Sequence, residues 1–98
     1  MANIATNLFY INSGSKENVD FVLSKISEYF SNIFYTYQED DSAELEFEST
    51  WNFPEEEMSE IFEDLPDKED IYMRCLSYEF GTLYHSLWVC DKDGWHEV

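Results

Sequence analysis

The chain has 98 residues, of which 44% are hydrophobic and 18% aromatic, and its formal net charge is −17. It is too rich in apolar and aromatic residues for a disordered acidic tail, and its length suits a single domain, residues 1–98. The charge argues against direct binding to nucleic acid or an anionic membrane, because phosphate binding needs clustered Lys and Arg and the chain has five in total. We therefore expect a protein partner with a basic surface.

The first third of the chain predicts a strand, a helix and a second strand. Residues 4–11 are rich in β-forming side chains, and the turn after them places Ser13 or Ser15 to cap a helix. Residues 16–30 carry apolar side chains at helical spacing, which predicts one apolar face, and Asn32 is expected to end the helix. Residues 33–37 then predict the second strand.

The third predicted strand has the clearest pattern in the chain. Residues 43–51 alternate, so that Glu44, Glu46 and Glu48 share one face while apolar side chains occupy the other. This strand follows the second one closely enough to form a hairpin with it. If helices cover one face of the sheet, the three glutamates should lie on the open face.

The second half of the chain predicts a short acidic helix followed by strands. Pro54 suits the first helical turn, and the three glutamates after it favour the positive end of the helix dipole. Pro66 ends this helix. Residues 71–80 and 82–90 read as strands, and residues 95–98 predict a short last strand or an ordered tail.

The order of elements indicates an α+β protein. It matches the ferredoxin-like β-α-β-β-α-β pattern with an added C-terminal β-strand or hairpin. The expected architecture is an antiparallel sheet with two helices on one face.

Three short parts of the chain carry a family resemblance. They are MAN with Asn7, Gly14 and VDFVL near the start, residues 50–54 after the third strand, and residues 76–81 later. In these parts the chain resembles small ferredoxin-like proteins carried by phages and plasmids, although residues 50–54 depart from that pattern in spacing and in having one proline. The resemblance implies the fold and a mobile-element origin. It implies no catalytic residues, because that family has no settled activity.

A second resemblance is one of character. The chain is similar to small acidic phage proteins that match nucleic acid in charge and block restriction or CRISPR complexes. Fold alone does not determine function, so this likeness is a hypothesis about charge.

The acidic residues are concentrated in one part of the chain. Fifteen of the 22 lie between positions 39 and 70, together with one lysine. The six acids of the second helix span roughly 15 Å at ~1.5 Å per residue. That is about one charge per 2.5 Å, near the value of about one per 1.7 Å for duplex DNA. The predicted partner-binding residues are Glu39, Asp40, Asp41, Glu44, Glu46, Glu48, Glu55, Glu56, Glu57, Glu60, Glu63 and Asp64.

Two interpretations of this charge remain open. Charge runs usually form a solvated surface, but a surface that is only soluble mixes both signs, which favours binding. The expected partner is a basic protein surface. We expect the carboxylates to bind in its phosphate-binding groove.

The sequence predicts no catalytic site, metal site or cofactor. Neither residues 38–46 nor residues 91–94 match a calcium-binding loop. Cys75, Cys90 and the two histidines lack zinc-site spacing. No nucleophile elbow, phosphate-binding glycine loop or Cys-His signature is present, so we expect no enzyme.

The remaining predictions concern the thiols, the aromatic side chains and location. Both cysteines are expected to be free and partly buried, and a β-hairpin would bring them near each other. Tyr84 and Trp95 are candidate exposed anchors of an interface. The absence of a visible signal peptide or long apolar run in the sequence favours the bacterial cytoplasm.

Three functions fit these observations. The first is a non-catalytic phage or mobile-element inhibitor of a bacterial defence complex, anti-CRISPR or anti-restriction, that acts as a DNA mimic. The second is an immunity protein or antitoxin that neutralises a cationic nuclease toxin. The third is a phage protein whose acidity serves only solubility.

Overall fold

The computed structural model describes residues 3–98, which form an α+β fold with six strands and two helices. In chain order the elements are β1 (Ile4–Asn12), α1 (Lys16–Tyr29), β2 (Ser31–Gln38), β3 (Ser42–Thr50), α2 (Glu55–Glu63), β4 (Tyr72–Glu79), β5 (Tyr84–Asp91) and β6 (Gly94–Glu97). The expected α+β class is confirmed. Neither helix of residues 3–98 has the length and apolar content that a membrane crossing requires.

All six strands belong to one open sheet in the order β2-β3-β1-β4-β5-β6. Every neighbouring pair is antiparallel. The predicted hairpin of β2 and β3 is confirmed, with register shifts within β2. The order differs from a four-stranded ferredoxin-like sheet because β5 and β6 extend it on the β4 side.

Helix α1 begins where the sequence places a cap. The Ser15 hydroxyl accepts a hydrogen bond from the backbone N–H of Asn18 at 3.2 Å, which satisfies one of the free donors of the first turn. The helix ends at Tyr29, and Phe30 is its C-cap. Asn32 therefore does not end the helix as predicted: it is the second residue of β2, with a positive φ of 56° that asparagine tolerates well.

Helix α2 has a weaker start. Pro54 precedes it and makes no side-chain cap. The backbone N–H of Glu55 donates to the carbonyl of Phe53 at 2.8 Å, and the three glutamates of the first turn complement the helix dipole. Met58, Ile61 and Phe62 bury one side of the helix. Leu65 is also buried, beyond the last helical residue.

Both helices pack on one face of the sheet. Their buried side chains share one cluster with the inward residues of the strands, among them Phe9, Phe47 and Met73. Within this cluster the ring of Phe30 stacks on that of Phe47, with centroids 4.4 Å apart. The alternation of buried and exposed residues along β1 and β4 leaves the other face of the sheet uncovered, and we call it the open face.

Two aromatic residues near the C-terminus serve this packing. The Tyr84 hydroxyl accepts a hydrogen bond from the backbone N–H of Phe53 at 3.0 Å. The Trp95 indole donates to the carbonyl of Met58 at 3.0 Å, and its ring centroid lies 5.3 Å from that of Phe53. Both side chains are only partly exposed. Their predicted role as exposed interface anchors is therefore wrong, because their polar atoms and rings are engaged within the chain.

Candidate acidic surface

The twelve acids predicted to bind a partner occupy three places on the molecule. The acids 39–41 lie in the loop between β2 and β3, at one end of the sheet. The three glutamates of β3 lie along that strand, and the other six follow in and just after α2. Ten of the twelve are exposed, while Glu48 and Glu57 are partly buried.

Glu44 and Glu46 lie on the open face, as the alternation predicted. They alternate with the buried Ala43 and Leu45, whose side chains point into the core. The β1–β3 register places Glu44 opposite Tyr10. Both carboxylates are thus held on a rigid central strand, about 6.8 Å apart along it.

Glu48 lies two residues before the end of β3, opposite Thr6 of β1 and Ser31 of β2. Its carboxylate accepts a hydrogen bond from the side-chain amide of Asn32 at 2.6 Å. The contact holds the Glu48 carboxylate near the end of β3, and the alternation of the strand places it on the same face as Glu44 and Glu46.

A groove brings one strand acid, Glu48, beside the acids of the first turn of α2. It has a volume of about 780 Å³ and is lined by Glu48 and by all three glutamates of the first turn of α2. Tyr29, Phe30 and Phe53 also line it. Carboxylates that are separated along the sequence therefore share one concave surface at this end of the sheet.

The acids continue along the solvent side of α2. Glu56, Glu60 and Glu63 follow helical spacing, so they stand on one side of the helix, about 10 Å from first to last. We call the whole set the acidic track: Glu44, Glu46, Glu48, Glu55, Glu56, Glu57, Glu60, Glu63 and Asp64. It starts on the open face, passes Glu48 and the groove, and runs along α2. The acids 39–41 precede β3 and lie at the end of that strand away from the groove.

None of the lysines, nor the arginine, in the part of the chain that the structure describes pairs with the acidic track. Among residues 3–98 there are two ion pairs, both within α1: Lys16–Asp20 at 2.8 Å and Lys25–Glu28 at 3.5 Å. The hydrogen bond to Asp20 raises the pKa of Lys16, and the charge of Asp40 adds to this shift. Lys16 therefore compensates acids that lie outside the track.

Arg74 is the cation nearest to the strand acids in the sheet register. Its guanidinium lies over the ring of Tyr10, 4.3 Å from the ring centroid. Tyr10 stands between Arg74 on β4 and Glu44 on β3. The aromatic ring separates the two charges, so the carboxylate remains available to an external cation.

The two thiols face the core and are unreactive by environment. Cys75 is opposite Trp88 and Cys90 is opposite Met73, so the cysteines are diagonal neighbours on β4 and β5, and both are free. Burial raises the pKa of each thiol to about 12. A thiol that stays protonated at neutral pH is a poor nucleophile.

The histidines lie on the other side of the sheet from the thiols. His85 and His96 are exposed, and their strand registers place them on the open face. Within residues 3–98 no three side chains of His, Cys, Asp or Glu are arranged to hold a metal ion.

The open face carries exposed apolar side chains that the sequence analysis did not predict. Leu8, Leu76, Leu87 and Phe34 are all substantially exposed there. The signal was present in β4, where apolar residues occupy both alternating sets of positions instead of one.

No protein-family model, no curated protein and no solved structure matches the chain.

Proposed function

We propose that this protein is a non-catalytic inhibitor, carried by a phage or mobile element, that binds a basic nucleic-acid-binding groove of a bacterial defence complex. The acidic track is the proposed contact surface. The observation that carries the proposal is the absence, among residues 3–98, of any ion pair between the track and the cations of the chain. Carboxylates left uncompensated in this way are free to replace phosphates in a basic groove.

The energetic cost of the track supports a role beyond solubility. Like charges three and four residues apart on a helix are destabilising, and acids in the last turn oppose the helix dipole. Helix α2 carries both features and has no basic residue in its last turn. A surface needed only for solubility would mix the two signs and avoid this cost.

We also infer that β1 to β4 and the two helices form a ferredoxin-like unit to which β5 and β6 are added. The central position of β1 between β3 and β4 supports this, as does the place of β2 beyond β3. In this arrangement the helices cover one face, and the strand acids reach a partner from the other.

The proposed place of action is the cytoplasm of a bacterial host. Two free, buried thiols suit a reducing compartment, where disulfides are rare. A defence complex that handles nucleic acid is found in the same compartment.

The test compares two variants with equal net charge. The track variant carries Glu46→Gln, Glu56→Gln and Glu60→Gln. The control variant carries Glu69→Gln, Asp93→Asn and Glu97→Gln, three exposed acids outside the track. Immobilised wild-type protein and control should capture nucleic-acid-binding proteins from a bacterial lysate at low salt and release them when duplex DNA is added. The track variant should capture at least about tenfold less, which corresponds to ~1.4 kcal/mol.

Equal capture by the track variant and the control would contradict the proposal, because it would show that total charge rather than the track determines binding. Release that is insensitive to duplex DNA would also contradict it. Identification of the captured protein separates the two partner classes, a defence complex and a cationic nuclease toxin.

A further inference from the structure

A row of mostly apolar side chains crosses the open face of the sheet. The strand registers place its members opposite one another on five adjacent strands, in the order Phe34, Glu46, Leu8, Leu76 and Leu87. The four apolar side chains remain exposed: Phe34 by 65%, Leu8 by 41%, Leu76 by 38% and Leu87 by 37%. Four large apolar side chains in line on a solvent-facing surface are uncommon for a monomer and mark an interaction site.

The row borders a shallow depression. This depression has a volume of about 380 Å³, and its lining includes Leu8, Leu76 and Leu87, together with Tyr10 and the Arg74 side chain that lies over its ring. Two acids of the track, Glu44 and Glu46, line the same depression. The open face thus combines an apolar floor with a carboxylate border along β3.

The charge of this face selects its occupant. Arg74 is held against Tyr10, so it leaves Glu44 and Glu46 without an ion-pair partner among residues 3–98. A second copy of the chain, with a net charge of −17, would bring a large like charge close to this face. Nucleic acid is excluded by the same repulsion. The complementary occupant has apolar side chains flanked by Lys or Arg.

The length of the row fits a helix. Five strands about 4.8 Å apart extend the row over ~19 Å. An α-helix of about 13 residues covers that distance. Side chains at positions i, i+4 and i+7 or i+8 would then contact successive apolar residues of the row, and basic residues beside them would reach the β3 carboxylates. An extended peptide would instead pair with an edge strand.

We propose that the open face binds a cationic amphipathic helix of the partner protein, laid along the row with Leu8, Leu76 and Leu87 as its apolar contacts. This inference rests on the proposed function and adds an apolar anchor to the acidic track. The track supplies the salt-sensitive part of binding, whereas burial of the leucines supplies a part that salt does not weaken.

The probe is a synthetic amphipathic helix of about 18 residues built from Leu and Lys, with Leu at helical spacing. Its control is a peptide of the same composition in which the two residues alternate. The variant Leu76→Ser with Leu87→Ser tests the face. The matched variant Phe80→Ser with Leu83→Ser removes two residues, each 80% exposed, in the β4–β5 connection outside the row.

Fluorescence titration of the labelled peptides at high salt should show tighter binding of the amphipathic helix than of the alternating peptide. The face variant should weaken that binding at least about tenfold, or ~1.4 kcal/mol. The matched variant should bind as the wild type does. Circular dichroism and thermal melting verify that both variants fold.

Equal binding of the two peptides, or unchanged binding by the face variant, overturns the inference. So does sedimentation of the wild type as a dimer that the face variant converts to a monomer, because a second copy would then occupy the face. If peptide binding fails while DNA-displaceable capture from the lysate persists, only the helix inference falls. If capture does not depend on the track while the peptide still binds, the proposed function falls.

Discussion

At the residue scale, one buried asparagine connects α1 to the loop between α2 and β4. Asn18 is fully buried, and its side-chain amide donates to the carbonyls of Asp67 and Asp70 at 2.7 and 2.9 Å. Its side-chain carbonyl accepts from the backbone N–H of Asp67 at 2.9 Å. Because this loop lacks regular structure, these bonds replace the ladder that a strand or helix would provide.

Asn18→Ala should lower the free energy of unfolding by about 3 kcal/mol, because it removes the partner of both the N–H and the carbonyl of Asp67 and leaves a cavity at a fully buried position. Urea unfolding monitored by tryptophan fluorescence measures the change. Asn12→Ala is the matched control, since Asn12 is exposed at the end of β1 and should change stability by less than about 0.5 kcal/mol. A loss for Asn18→Ala no larger than that of the control would show that the amide does not hold the loop.

At the element scale, the acids of α2 act in opposite directions at its two ends. Glu55, Glu56 and Glu57 lie in the first turn, where negative charge complements the helix dipole. Glu63 and the C-cap Asp64 lie at the negative end of the helix, where negative charge opposes the dipole. The acids of the last turn are therefore the part of the track that is least favourable to folding.

Two charge reversals, one at each end of α2, distinguish the effect of the helix dipole on stability from the effect of net charge. Each variant changes the net charge by the same amount. Glu63→Lys should stabilise the protein by about 0.5 kcal/mol, through the dipole and a new attractive pair with Glu60. Glu55→Lys should be less stable than Glu63→Lys by about 1 kcal/mol. Chemical denaturation of both variants gives the difference, and identical stabilities would mean that the dipole does not determine the preference.

At the scale of the whole molecule, one hydrophobic core holds together a strongly self-repelling surface. The net charge is −17, and the two ion pairs among residues 3–98 both lie on α1. Repulsion among exposed charges destabilises the compact state and is screened by salt. The core, formed from both helices and the inner face of the sheet, offsets this repulsion.

Raising the sodium chloride concentration from low to high should therefore stabilise the wild-type protein. We expect about 1 kcal/mol, which is a Tm increase of roughly 5 °C for a domain of this length. The track variant with three glutamines should start from a higher Tm and gain less from salt than the control variant, because its removed charges lie close together. Calorimetric melts at several salt concentrations measure both slopes; parallel slopes for the two variants would show that the track carries no special share of the repulsion.

The local sequence pattern was sufficient to predict the helices and strands of this fold. The alternation in 43–51 predicted β3 and the outward direction of Glu44 and Glu46, and the serine before α1 predicted its cap. These features depend on neighbours within a few residues, where hydrogen bonding and side-chain periodicity act directly. The prediction that Asn32 ends α1 was wrong because Asn32 belongs to the start of an edge strand. Its left-handed backbone there has only a weak signal in the local sequence.

The amino-acid sequence by itself determined the class of fold, the order and approximate position of the helices and strands, and the excess of negative charge. Tertiary structure decided which of those charges meet. The groove brings Glu48 to the first turn of α2, while the acids 39–41 lie at the other end of β3. It also decided that Phe34, Leu8, Leu76 and Leu87 form one row. Both outcomes depend on strand order and register, which arise from contacts between residues far apart in the chain and therefore leave no local signal.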